Sequence, residues 1–163
     1  MSHKNIFPIN SSDGTIAAYY LYGMESGLFA LDSAKEWAYQ VIALRINPPI
    51  EIIEVATASR RQDVFSCLAA VGGPTDHILA GYWLLHQLHE ELQAGDITVR
   101  FAVQAALQIA RTTELPERVY YDFDGLEDEL SLAEQGAFGT VLEATDAVLA
   151  SLLEYGQAIA SGT

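Results

Sequence analysis

Between Ala34 and Ile42 the apolar residues Ala34, Trp37, Ala38, Val41 and Ile42 recur three and four positions apart. That spacing gathers side chains on one face of an α-helix and scatters them over both faces of a strand. Asn47-Pro48-Pro49 closes the segment, because the residue before a proline is pushed out of helical geometry. The same rhythm returns along the chain and strand-type alternation is scarce, so the fold expected is all-α, with about seven helices. Their short connections suit a helical bundle or a short irregular helical stack. No fixed internal period and no low-complexity linker interrupts residues 1–163, and a single helical domain is expected over that span.

Punctuation places the elements. Ser12 or Asp13 caps a first helix through Ile16, Ala17, Tyr20 and Leu21 as far as Gly23 or Gly27, with a short strand as the competing reading because of its β-branched and aromatic content. Asp32 or Ser33 caps the helix of Trp37. Pro49 suits the first turn of a third helix, with Glu51 and Glu54 near the positive end of its dipole and Ile50, Ile53 and Ala56 facing inward. A fourth runs from Arg60 to Val71 with Val64, Phe65, Leu68 and Val71 as its buried stripe, closed by Gly72-Gly73-Pro74. Thr75 or Asp76 then caps the most apolar helix, through Ile78, Leu79, Tyr82, Trp83, Leu85, Leu88 and Leu92, which is expected to be central. Asp96 caps a sixth carrying Val99, Val103, Ala106, Leu107 and Ala110. After an aromatic-acidic loop come a short helix over Leu126–Glu134 and a long one from Thr140 to Ile159, with Val141, Leu142, Ala144, Val148, Leu149, Leu152, Leu153 and Ile159 as its apolar surface.

Charge narrows the function. Of 163 residues 22 are acidic and 8 basic, a net charge of −14. The last basic residue is Arg118, and nine carboxylates follow it. A one-signed field of this kind repels nucleic acid and anionic lipid and attracts a basic protein, although solubility is another reading of the same charge. The N-terminus lacks the apolar core of a signal peptide and no run is long enough to span a bilayer, so a cytoplasmic protein is expected. A lone Cys67 allows no internal disulfide, and it reads as a small buried residue without a cation to activate it.

Catalytic patterns are few. Gly72-Gly73-Pro74-Thr75 lacks the lysine and spacing of a phosphate loop, and no Gly-x-Ser-x-Gly turn occurs. Asp122-Phe123-Asp124-Gly125 starts like a calcium loop, but its glycine arrives too early. His86, His89 and Glu90 share a helical face at metal-ligand spacing, yet a site there needs a further carboxylate from elsewhere. The plainer reading sets His86, His89, Glu90 and Glu91 along the solvated edge of the helix. No catalytic residue and no cofactor is assigned.

The most distinctive stretch is Val119-Tyr120-Tyr121-Asp122-Phe123-Asp124-Gly125-Leu126-Glu127-Asp128-Glu129, three aromatics among five carboxylates. Exposed, it offers a partner's Arg and Lys charge-assisted hydrogen bonds and cation–π contacts. Buried, Tyr120 and Phe123 plug a gap between helices while the acids face water. Together with Leu31-Asp32-Ser33-Ala34-Lys35-Glu36-Trp37-Ala38, the segment Tyr120–Glu127 resembles a bacterial family of small helical proteins of unknown activity. Some members of that family are encoded beside polymorphic toxins as immunity proteins of contact-dependent inhibition. The likeness spans roughly residues 14–138, with Gly125 where the family pattern expects proline. It implies a cofactor-free cytoplasmic protein that binds one cognate toxin domain. The contact patch expected is Tyr120, Tyr121, Asp122, Asp124, Glu127, Asp128 and Glu129, set against a basic toxin surface. Two alternatives stand beside it: a homo-oligomeric scaffold in which Tyr82 and Trp83 pair across a symmetric interface, and a metal-dependent enzyme using His86, His89 and Glu90.

Overall fold

The computed structural model describes residues 7, 8 and 10–160, the side chains of 158–160 excepted. His3 and the rest of the first six residues therefore lie outside the described residues, as does the Ile159 side chain. Among the described residues there are eight α-helices and no strand. They are α1 (Asp13–Glu25), α2 (Leu31–Leu44), α3 (Ile50–Thr57), α4 (Arg61–Ala70), α5 (His77–Ala94), α6 (Val99–Thr112), α7 (Glu117–Glu134) and α8 (Val141–Ala160). The chain divides into two compact units, one ending at Ala80 and one beginning at Gly81.

In the first unit α1 is helical rather than extended, and it is buried from Gly14 through Tyr20 and again at Gly23 and Met24. A helix apolar on every side has to be enclosed, and α2 and α4 pack against it. Its start is fixed locally: the Ser12 hydroxyl accepts from Thr15 N at 3.2 Å and donates to the Pro74 carbonyl at 2.6 Å. Tyr20 stacks on Trp37 of α2, ring centroids 5.7 Å apart, and Tyr19 lies 5.0 Å from Phe29. Arg45 grips the Asp13 carboxylate with two bonds of 2.6 and 2.7 Å.

Two details correct the expected register here. α2 begins at Leu31 after Ala30, ahead of Asp32 and Ser33. In α3 the inward residues are Ile52, Val55 and Ala56, while Ile50 and Ile53 point to solvent. The five apolar residues of this eight-residue helix contain two overlapping helical stripes, and only packing against α2 and α4 selects one. Leu44, Ile46 and Ile50 project from the α2–α3 turn, Ile46 being 98% exposed. Phe65 and Cys67 of α4 are half-buried, so Cys67 is not the core residue its apolar neighbours suggested.

The second unit contains α5 from Gly81 onward together with α6, α7 and α8. α7 lies between α6 and α8, and those two also touch. Trp83, Leu84, Leu85 and Leu88 of α5 are buried, as are Val103, Ile109, Phe123, Leu130, Val148 and Leu152 of the following helices. Gly81 permits α5 to approach the end of α6, since a Cβ there would overlap Thr113 and come within 3.0 Å of Leu115. The aromatic-acidic segment is not a loop followed by a short helix. It belongs to one continuous helix of 18 residues. Val119, Phe123, Leu126 and Leu130 fall at spacings of four, three and four, and burying that stripe outweighs the ~1 kcal/mol penalty of Gly125 in a helix interior. In α8 the buried stripe starts only at Ala144, leaving Val141, Leu142 and Leu153 exposed rather than inward.

Candidate functional site

Helix α7 sorts its polar residues by direction. Opposite the stripe of Val119, Phe123 and Leu130 lie Glu117, Tyr121, Asp124 and Asp128, also at spacings of four, three and four. Tyr121 is 63% exposed and Asp128 is exposed, while Asp124 is half-buried. Tyr120 and Glu127 turn toward α6. Arg111 donates to the Tyr120 hydroxyl at 2.9 Å with its guanidinium carbon 5.2 Å from the ring centre. Arg100 lies 3.6 Å from Glu127 and 2.8 Å from Glu134. Asp122 and Glu129 turn toward α8, where the Tyr155 hydroxyl donates to the Asp122 carboxylate. Burial, then that hydrogen bond and charge, push the Tyr155 hydroxyl up to about 12 against the opposing pull of Arg118.

The seven residues singled out from sequence therefore do not form one patch. Tyr121, Asp128 and Glu129 are open to a partner, Asp124 partly so. Tyr120, Asp122 and Glu127 are held by Arg111, Tyr155 and Arg100 and help fasten α7 to its neighbours. Both readings of the segment apply, each to different residues: Phe123 plugs the helix interface and Tyr121 faces water.

The sequence reading missed the contribution of the α7–α8 turn. Phe138 is 75% and Leu142 71% exposed, beside Glu129 and Glu143. Thr140 caps α8, accepting from Glu143 N at 3.1 Å. A groove of about 230 Å³ here is lined by Glu129, Ala133, Phe138, Gly139, Thr140 and Glu143. The available signal was Ala137-Phe138-Gly139 between two helices, an aromatic in a turn that has no stripe to join. Along α8, Glu143, Asp146 and Glu154 all face outward. The only cations of this unit, Arg100, Arg111 and Arg118, are engaged with Glu127 and Glu134, Tyr120, and the Tyr155 ring at 5.8 Å respectively. No ion pair among the described residues takes Asp124, Asp128, Glu129, Glu143, Asp146 or Glu154.

On α5, His86 Nε2 lies 3.9 Å and His89 Nδ1 3.5 Å from Glu90 Oε1. His89 is buried on the side of Leu85, Leu88 and Leu92 instead of lining a solvated edge, and its Nδ1 makes no hydrogen bond. Among the described residues no group of three or more His, Cys, Asp or Glu is placed to hold a metal ion. Trp83 is 1% exposed, so the symmetric contact imagined for Tyr82 and Trp83 has no accessible indole. Burial, then Glu54 and Asp63, raise the Cys67 thiol, which keeps it a poor nucleophile. No described helix is long and apolar enough to cross a membrane. Comparison with protein-family models, with characterised proteins and with solved structures finds no match to this chain.

Proposed function

We propose that this protein is a non-enzymatic binding protein whose α7–α8 face captures a positively charged protein. Within that class it serves in the cytoplasm as an immunity protein, neutralising a cognate bacterial toxin domain. One observation carries the reading: among the described residues no ion pair takes the exposed Asp128, Glu129, Glu143, Asp146 and Glu154 or the half-buried Asp124 of the adjacent helices α7 and α8, and Tyr121, Phe138 and Leu142 stand exposed on the same helices and their turn. Complementary charge accelerates encounter, and aromatic and apolar anchors slow release. Many toxins that act on nucleic acid need a basic cleft, which such a face would cover.

The test is capture of the toxin domain encoded beside this gene, together with rescue of growth when the two are co-expressed. Binding should weaken steeply between ionic strengths of about 0.05 and 0.5 M. Asp128→Asn, Glu129→Gln and Glu143→Gln combined should weaken it about ten-fold or more at the lower value. Undiminished affinity and full protection by the triple variant would remove this face from the function. A homo-oligomeric scaffold is the second reading, favoured by the exposed Leu44, Ile46 and Ile50. Light scattering of the parent and of Ile46→Glu separates it, since only a self-associating chain loses mass on that change.

A further inference from the structure

At the other end of α7 a groove of about 290 Å³ opens between the α6–α7 turn and the first two turns of α7. Its walls include Arg111, Glu114, Leu115, Glu117, Tyr120 and Tyr121. We propose that it receives the side chain of a single arginine of the partner, laid against the ring of Tyr121 with its charge between Glu114 and Glu117. This deepens the reading of α7 as the partner-facing helix and rests on it.

Three features lead to that occupant. First, the rings of Tyr120 and Tyr121 meet edge to face, 5.9 Å apart, and the chain's own Arg111 already lies over Tyr120 while bonding its hydroxyl. A guanidinium thus fits this aromatic wall in the molecule as it stands, and the Tyr121 ring remains exposed to a second one. Second, the groove has two exposed carboxylates against that one guanidinium, and neither Glu114 nor Glu117 enters an ion pair among the described residues. Third, Glu114 holds φ at +56°. It is the position just past a helix end where Leu115 N bonds Ala110 O and Glu114 N reaches Arg111 O. The equivalent positions after α5 and α7 are Gly95 and Gly136, as the left-handed conformation favours. A carboxylate stands here at a conformational cost that glycine avoids. The volume suits one long side chain, and a planar cation gains from stacking and from paired carboxylates more than an ammonium does.

The experiment is a titration of the full-length chain, labelled for amide NMR, with N-acetyl-arginine amide and with its uncharged isostere N-acetyl-citrulline amide. The arginine compound should give saturable shifts confined to residues 110–121, and citrulline none. Tyr121→Ala should weaken binding about three-fold, and Glu114→Gln with Glu117→Gln about five-fold. The Asp128, Glu129 and Glu143 triple variant should bind the compound as the parent does. Equal binding of citrulline, shifts spread along the α8 carboxylates, or groove variants that bind like the parent would overturn the proposal. Those results would leave capture of the whole toxin domain untouched, whereas failure of capture with an intact arginine titration would count against the functional reading alone. All three substituted groove residues are on the surface, and circular dichroism of each variant reports that its fold is retained.

Discussion

Replacing Glu114 with glycine should make the protein more stable, although it removes a side chain from the groove. At φ +56° the Cβ of an L-residue crowds its own backbone, at a cost of ~1–2 kcal/mol. Glycine escapes that crowding but brings back ~0.5–1 kcal/mol of unfolded-chain entropy. The net gain is ~0.5–1 kcal/mol, which in a chain of this length raises Tm by roughly 1–4 °C. Loss of one negative charge from an acidic molecule would also stabilise it, and Glu114→Ala controls for this because alanine loses the charge yet keeps the Cβ. Thermal unfolding followed by circular dichroism should therefore rank glycine above alanine by ~1 kcal/mol. The converse holds at Gly136, where φ is +71° and an added Cβ meets nothing within 4 Å. Gly136→Ala should cost ~1 kcal/mol from backbone conformation alone. If Glu114→Gly and Glu114→Ala melt together, the turn carries no strain and the conformational argument for Glu114 is wrong.

Gly81→Ala should destabilise by ~1–3 kcal/mol, because the new methyl would overlap Thr113 and press on Leu115 at the close approach of α5 and α6; urea unfolding measures it. Tyr155→Phe keeps the packing against Phe123 but deletes the bond to Asp122, and a loss of ~1–2 kcal/mol is expected by the same assay. Glu91 provides a pH dependence: burial, then the charge of Asp96, raise its carboxyl above the ordinary 4.5 despite a bond from Gln87. Below 4.5 it is neutral in both folded and unfolded chains, and as pH climbs through 4.5 and past the raised folded value the unfolded chain ionises first and stability falls. Glu91→Gln should therefore melt higher than the parent at neutral pH and converge with it in acid. A constant difference across the pH range would refute the assignment.

The helical class, most helix ends and much of the core were legible because they depend on local signals: three-and-four spacing, Ser12 and Asp76 as caps, Gly95 and the Pro48-Pro49 pair as stops. Asp76 caps α5 with a carboxylate bond of 2.9 Å to Leu79 N, as its place in the sequence suggests. What was not legible depends on neighbours distant in sequence. The α3 face was ambiguous until α2 and α4 packed against it. Asp122, Asp124 and Gly125 are individually turn-forming residues, and the segment reads as a loop unless Val119, Phe123 and Leu130 are known to meet α6 and α8. Likewise Arg100 reaches from α6 to Glu127 and to Glu134, 34 residues on, and Arg111 reaches Tyr120 nine residues on across the α6–α7 turn, so nothing local reveals which side chains they hold.

That division governs how the face is to be tested. α7 uses both flanks to hold the unit together, through Arg100 with Glu127 and Glu134 on one side and Tyr155 with Asp122 on the other. Substituting Asp122 or Glu127 would lower stability and binding together, and a lost interaction would say nothing about contact. Glu117, Tyr121 and Asp128 lie on the stripe opposite the core, where a change costs little folding free energy. For the proposed partner, loss of affinity on changing Asp128 or Tyr121 at unchanged Tm isolates recognition from folding.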